Sequence, residues 1–77
     1  MTSIERIVTN HQIMLGKPFI KGTRITVEVV LRKLSQGATQ EEIVKMYPEL
    51  SLEDISAALF YAIIAIKGGE ESFGFAA

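Results

Sequence analysis

Apolar residues in the first third of the chain occur in short runs that are separated by turn-forming residues. The segment from Ile4 to Thr9 is short and rich in β-branched residues, which predicts a strand. A turn is expected at Asn10, and Phe19-Ile20 forms a second short run that ends before Gly22. We therefore predict a two-stranded β-ribbon, which is not stable in water unless it packs on helices.

The pattern changes to helical spacing after residue 25. Thr26 is predicted to cap helix one, and Gly37 is predicted to end it. Its apolar residues recur three or four positions apart, at Val27, Val30, Leu31 and Leu34. Helix two begins with a capping box that joins Thr39 to Glu42, and Pro48 ends it.

Helix three is apolar around most of its circumference. Ser51 and Asp54 predict its cap, and Gly68-Gly69 is expected to end it. Its apolar residues form two stripes, Ile55, Leu59, Ala62, Ile63 and Ile66 on one side and Phe60, Tyr61 and Ile64 on the other. Two short helices can cover one stripe but hardly both, and an all-apolar helix must be buried on every side.

We therefore predict a dimer or partner interface on helix three, with further contacts from the C-terminal tail. The predicted interface residues are Leu59, Phe60, Ile63, Ile64, Ile66, Phe73 and Phe75. The alternative is that one copy buries both stripes under its own ribbon, and that the two tail phenylalanines dock on their own domain. Glu substitutions at Leu59 and Ile63, against Phe60 and Ile64, would show which stripe is core and which is interface.

The predicted fold is mainly α: a short N-terminal β-ribbon followed by a three-helix helix-turn-helix bundle. About three residues, Pro48–Leu50, separate helices two and three, which is helix-turn-helix spacing. We predict a single domain over residues 1–69, with the ribbon in 1–25 and the helices in 26–67. Residues 70–77 show no helical period and are predicted to be a mobile tail.

Composition favours an oligomer without a cofactor. A chain of 77 residues buries only a small core and is commonly supported by disulfides, a metal or oligomerisation. With no cysteine and one histidine, disulfide and metal sites are not expected, and we predict a homodimer. The missing cysteines and the absence of an apolar run long enough for a membrane span predict a cytoplasmic protein with no membrane partner.

Charge is distributed unevenly along the chain. Residues 1–38 carry six Lys or Arg against two Glu, whereas residues 39–77 carry two against seven carboxylates. The candidate nucleic-acid-binding residues are Lys17, Lys21, Arg24, Arg32 and Lys33. An alternative for Arg24 is an internal ion pair with a helix carboxylate. The start of helix three carries Glu53 and Asp54, which disfavours it as a DNA-recognition helix and points to the basic ribbon instead.

Catalysis is not expected. His11, on a predicted turn, has no sequence neighbour that would make it a catalytic base. The paired carboxylates Glu41-Glu42 and Glu53-Asp54 lie in first helical turns, where capping and the helix dipole explain them. The chain also lacks nucleophile, metalloprotease and phosphate-loop motifs.

One segment carries a family resemblance. Residues 16–27, Gly-Lys-Pro-Phe-Ile-Lys-Gly-Thr-Arg-Ile-Thr-Val, resemble the bacterial and archaeal family called domain of unknown function 433, DUF433. Later residues of the chain extend the resemblance over roughly residues 4–66: Gly37, Tyr47-Pro48, Leu50 to Ile55, Ala58-Leu59 and Tyr61-Ala62. Thr26 stands where the family often has proline, and both residues suit a helix start.

The resemblance implies a homeodomain-like helical domain with an N-terminal ribbon. It further implies an antitoxin of a type II toxin–antitoxin pair that neutralises a PIN-like ribonuclease toxin and, with it, represses their promoter. The alternatives are a stand-alone DNA-binding regulator and a dimeric interaction module that does not bind DNA.

Overall fold

The computed structural model describes the backbone of residues 4–73 and the side chains of residues 4–67. The protein is mainly helical with a short N-terminal ribbon, as the sequence predicts. The elements, in chain order, are a 3-10 turn at Ile4–Arg6, β1 at Ile7–Val8, a second 3-10 turn at Met14–Gly16, β2 at Phe19–Ile20, α1 at Val27–Ser35, α2 at Gln40–Met46 and α3 at Leu52–Phe73.

The ribbon is shorter than predicted. β1 and β2 are antiparallel, with Ile7 opposite Ile20 and Val8 opposite Phe19. The predicted strand from Ile4 to Thr9 is therefore wrong over its first three residues, which form a 3-10 turn packed against α3. This turn brings Arg6 to the start of α3, where its side chain forms an ion pair with Asp54. That long-range ion pair competes with strand geometry at Ile4–Arg6.

Local capping signals set most helix ends, as predicted. The Thr26 hydroxyl accepts a hydrogen bond from the Val29 N–H at 3.1 Å. Gly37, at φ 100°, closes α1, and the Ala38 N–H donates to the Lys33 carbonyl at 3.1 Å. The capping box of Thr39 at the start of α2 is also present.

The connection between α2 and α3 is longer than the predicted three residues. It spans residues 47–51 and turns through a hydrogen bond of 2.9 Å from the Leu50 N–H to the Tyr47 carbonyl. Leu50 is buried and fixes this connection to the core.

One core lies where the ribbon, α1, α2 and the first half of α3 meet. Its buried members are Ile20, Ile25, Val27, Val30, Ile43, Leu50, Ile55 and Ala58. The ribbon is joined to α1 by a hydrogen bond of 3.0 Å from the Val27 N–H to the Pro18 carbonyl. The ribbon therefore packs on the helices, which is the condition for its stability.

Helix α3 does not end at Gly68-Gly69, where we predicted its end. It continues to Phe73, so the predicted boundary at residue 69 falls inside a helix and residues 70–73 do not form a tail. A glycine in a helix costs only about 1 kcal/mol relative to alanine, which disfavours a helix without forbidding it. Phe75 and the rest of residues 74–77 lie outside the described residues.

Candidate partner-binding surface

The apolar character of α3 is divided along its length. Ile55, Ala57 and Ala58, in the first turns, are fully buried. Exposure then rises to 43% at Phe60, 60% at Ile63, 49% at Ile64 and 59% at Ile66. We call residues 60–73 the outer segment of α3. Buried and exposed residues thus separate by position along the helix, not only by face.

This division corrects the prediction of two stripes. Leu59 is half-buried against the core, whereas Ile63, assigned to the same stripe, is exposed. The reason is helix length, since α3 has 22 residues and α1 only 9. At a rise of about 1.5 Å per residue, α3 is roughly 20 Å longer than the helix beside it. Beyond Tyr61, which still packs against the core, its outer segment therefore extends past the core.

The exposed apolar area is large for so small a protein. Four large side chains, each about half exposed, form a patch on the order of a few hundred Å², and patches of this size are often functional. Leaving them in water forgoes about 25 cal/mol for each Å² that a partner would cover. The predicted interface residues Phe60, Ile63, Ile64 and Ile66 therefore lie on an uncovered surface. Leu59 does not, and the side chain of Phe73 is outside the described residues.

A groove runs between α1 and the outer segment of α3. It encloses about 620 Å³ and is largely apolar. Leu31 and Ser35 line it from α1, and Ala62, Ala65 and Ile66 line it from α3. The two alanines have short side chains, which leaves room between the helices.

A cluster of three charged residues borders this groove. Lys17 Nζ lies 3.2 Å from Glu28 Oε1, and Arg32 binds the other oxygen of the same carboxylate. The hydrogen bond from Lys17, and after it that from Arg32, lowers the pKa of Glu28 from its ordinary value. Glu28 therefore stays ionised at neutral pH, and any stabilisation from the cluster is lost as pH falls through this lowered pKa. All three side chains are exposed, so the cluster adds little stability.

Four of the five predicted nucleic-acid-binding residues are distributed among several depressions of the structure. Lys17 and Arg32 belong to the cluster around Glu28. Lys21 lies beside Arg6 and Asp54, and Arg24 lies in a separate depression with Tyr47 and Glu49. Lys33 is half-buried on α1. The side chains of Lys21, Arg24 and Lys33 form no salt bridge with any residue in the range 4–67.

The internal ion pair considered for Arg24 is made by Arg6 instead. Arg6 Nη1 lies 3.0 Å from Asp54 Oδ1, and its other terminal nitrogen lies 3.7 Å from Glu53 Oε1. Asp54 is only 8% exposed and also accepts a hydrogen bond from the Ser51 N–H at 2.9 Å. The capping pattern of Ser51 and Asp54 could be identified from sequence. The pairing with Arg6, 48 residues away, left no local signal.

Other site classes find no support in the described part of the chain. No group of three or more histidine and carboxylate side chains among residues 4–67 could hold a metal ion. Across the helices of residues 4–73, none has both the length and the apolar composition that a bilayer span requires.

Comparison with known proteins places the chain in a family. A model described as "Protein of unknown function (DUF433)" matches residues 7–62, which is well over half of the sequence. No curated protein matches the chain. The crystal structure of a DUF433 member protein from Anabaena variabilis ATCC 29413 is similar, with a TM-score of 0.76 and 29% sequence identity. The similarity covers 90% of this chain and 68% of that one. The chain belongs to the DUF433 family.

Proposed function

We propose that this protein is the antitoxin of a type II toxin–antitoxin pair, which binds and neutralises a PIN-like ribonuclease. The observation that carries the proposal is the outer segment of α3, where Ile63, Ile64 and Ile66 are exposed on a helix that extends past its own core. Such a helix is suited to lie in an apolar groove of another protein. The resemblance of residues 16–27 to the DUF433 family, which implies an antitoxin, is the reason for proposing a PIN-like ribonuclease as that partner.

In this proposal the protein acts by binding, without catalysis, as a homodimer in the cytoplasm. Its inhibitory effect comes from covering the toxin. Association of this kind is driven by burial of the apolar outer segment, and the charged residues around it favour one orientation of the partner.

The test uses the toxin candidate encoded beside the gene. Co-expression of wild-type protein is expected to restore growth of cells that produce this ribonuclease, and the two proteins should co-purify. Ile64→Glu should abolish both effects, because it places a charge in the contact surface. Leu52→Glu is the matched control: Leu52 is 47% exposed, like Ile64 at 49%, but it is the first residue of α3 and lies outside the outer segment.

Two results would count against the antitoxin proposal. One is failure of the adjacent-gene product to bind wild-type protein. The other is full neutralisation by Ile64→Glu, since the interaction would then not use the outer segment of α3.

Promoter binding is a second proposal, and it is favoured by Lys21 and Arg24. Both side chains are exposed, and neither forms a salt bridge with another residue in the range 4–67. The double variant Lys21→Ala with Arg24→Ala should weaken promoter binding and reduce its dependence on salt concentration, because fewer phosphates are neutralised. Lys45→Ala serves as the control. Unchanged binding of the double variant would favour a regulator that uses other residues, and no binding by wild type would favour an interaction module without DNA.

A further inference from the structure

We infer that the groove between α1 and the outer segment of α3 holds the C-terminal end of α3 from a second copy of this chain. The inference rests on the homodimer within the proposed function and identifies the surface that forms it. Three properties support it: the shape of the groove, the charge on its border together with the charge of the helix end in the sequence, and the area that a dimer must bury.

The first property is the shape of the groove. Ala62 and Ala65 line its α3 side, and Leu31 gives an apolar surface on the α1 side. Helices pack 8–10 Å apart depending on the side chains between them, and alanines permit the shorter distance. A helix is therefore the shape of ligand that this groove suits, with Leu31 and Ile66 providing apolar contact on either side.

The second property is charge. Two cations, Lys17 and Arg32, border the groove against the single carboxylate of Glu28. The last turns of α3 carry Glu70 and Glu71, and no basic residue follows Lys67 in the sequence. The acidic end of one helix is thus complementary to the basic border of the groove in another copy.

The third property is area. A stable interface buries roughly 800 Å² on each partner, and the exposed apolar patch of the outer segment falls short of this. In a twofold dimer each contact occurs twice, so each copy both fills a groove and has its own groove filled. The twofold arrangement therefore doubles the area that a single groove contact would bury. Phe60, Ile63 and Ile64 do not line the groove and stay exposed for the proposed toxin.

The test uses two charge-reversed variants that fail separately and associate when mixed. Arg32→Glu makes the border of the groove acidic, and Glu70→Lys with Glu71→Lys makes the helix end basic. Each variant alone places like charges together, and its dimer dissociation constant should rise at least about tenfold. In an equimolar mixture both contacts are again between opposite charges. The mixture should therefore form a heterodimer with near wild-type affinity, measured by sedimentation velocity and native mass spectrometry.

Lys33→Glu is the matched control, because it makes the same charge change one position along α1 at a residue that does not line the groove. It should dimerise as wild type does. Circular dichroism checks that each variant is folded, and Lys17→Glu replaces Arg32→Glu if the latter unfolds.

Three results would overturn the inference: a monomeric wild type, normal dimers of both charge-reversed variants, or a mixture that stays monomeric. Failure here is distinguishable from failure of the proposed function. A monomer that still neutralises the ribonuclease would remove the inference alone, whereas a groove-dependent dimer that binds no toxin would remove the antitoxin proposal alone.

Discussion

At the residue scale, the connection between β1 and β2 contains an unusual backbone. Met14, Leu15 and Gly16 have φ values of 56°, 57° and 82° in succession. Non-glycine residues in the left-handed region cost roughly 1–2 kcal/mol each. Leu15 is 91% exposed, so little packing of its side chain offsets that cost. This position is therefore locally unfavourable for leucine.

We predict that Leu15→Asn increases the free energy of unfolding by about 0.5–1 kcal/mol, because asparagine tolerates left-handed backbone better than leucine does. The measurement is urea denaturation. Leu15→Ala is the control, since it removes the same apolar side chain and keeps an unfavourable φ. Equal stability of the two variants would contradict the explanation from backbone strain.

Single residues also show where sequence was informative. The expected end of the second strand before Gly22 is confirmed, since β2 ends at Ile20 and Gly22 turns the chain with a φ of 84°. The Thr23 hydroxyl closes the same turn, donating to the Ile20 carbonyl at 2.9 Å and accepting from the Ile25 N–H at 3.0 Å. Neither the bonds of Thr23 nor the left-handed Leu15 was predicted, because threonine and leucine have no strong preference that marks such positions.

At the element scale, the start of α3 depends on a partly buried carboxylate. Asp54 accepts hydrogen bonds from the Ser51 N–H and from Arg6. We predict that Asp54→Ala lowers the free energy of unfolding by about 1–3 kcal/mol, since it removes a cap and leaves Arg6 without its closest partner. Glu53→Ala should change the free energy of unfolding by less than about 0.5 kcal/mol, because the ion pair between Glu53 and Arg6 is long, exposed and screened by solvent. Thermal unfolding of both variants checks this, and equal losses would contradict the assigned role of Asp54.

The two halves of α3 should respond differently to charge. Leu59→Glu is predicted to lower the free energy of unfolding by about 2–4 kcal/mol, because it places a carboxylate against the core. Ile66→Glu, in the exposed wall of the groove, should leave the fold intact and reduce self-association. Circular dichroism and sedimentation equilibrium separate these outcomes. Unfolding of Ile66→Glu would mean that this part of the outer segment contributes to the core of a single copy.

Helix starts were predicted well because they depend on residues three positions apart, as in the capping box of Thr39 and Glu42. The 3-10 turn at Ile4–Arg6 was missed because its stabilising contact is an ion pair to α3, 48 residues away, which no local sequence pattern shows. For the candidate surface, the sequence identified the surplus apolar residues of α3 but assigned them to two faces. Which of them are buried depends on how far α1 and α2 extend beside α3. No local sequence pattern predicts that distance.

At the scale of the whole molecule, self-association and stability should be coupled. A second copy that binds only the folded chain stabilises it by mass action. We predict that a hundredfold increase in protein concentration raises the Tm by several degrees, roughly 5–10 °C for a domain of this size. Calorimetry at three concentrations measures the effect, and Ile66→Glu, which disrupts the groove, is the control with a constant Tm. A wild-type Tm that is independent of concentration would contradict the dimer.

The outer segment of α3 has a consequence for how fast the protein is degraded by peptidases. Short helical turns that lack tertiary support unwind readily in water, and peptidases act on backbone that has unwound. A copy without a bound partner should accordingly be cleaved first within the outer segment, residues 60–73, whereas a partner-bound copy is protected there. The degradation rate of the protein in the cell would then depend on the concentration of its binding partner.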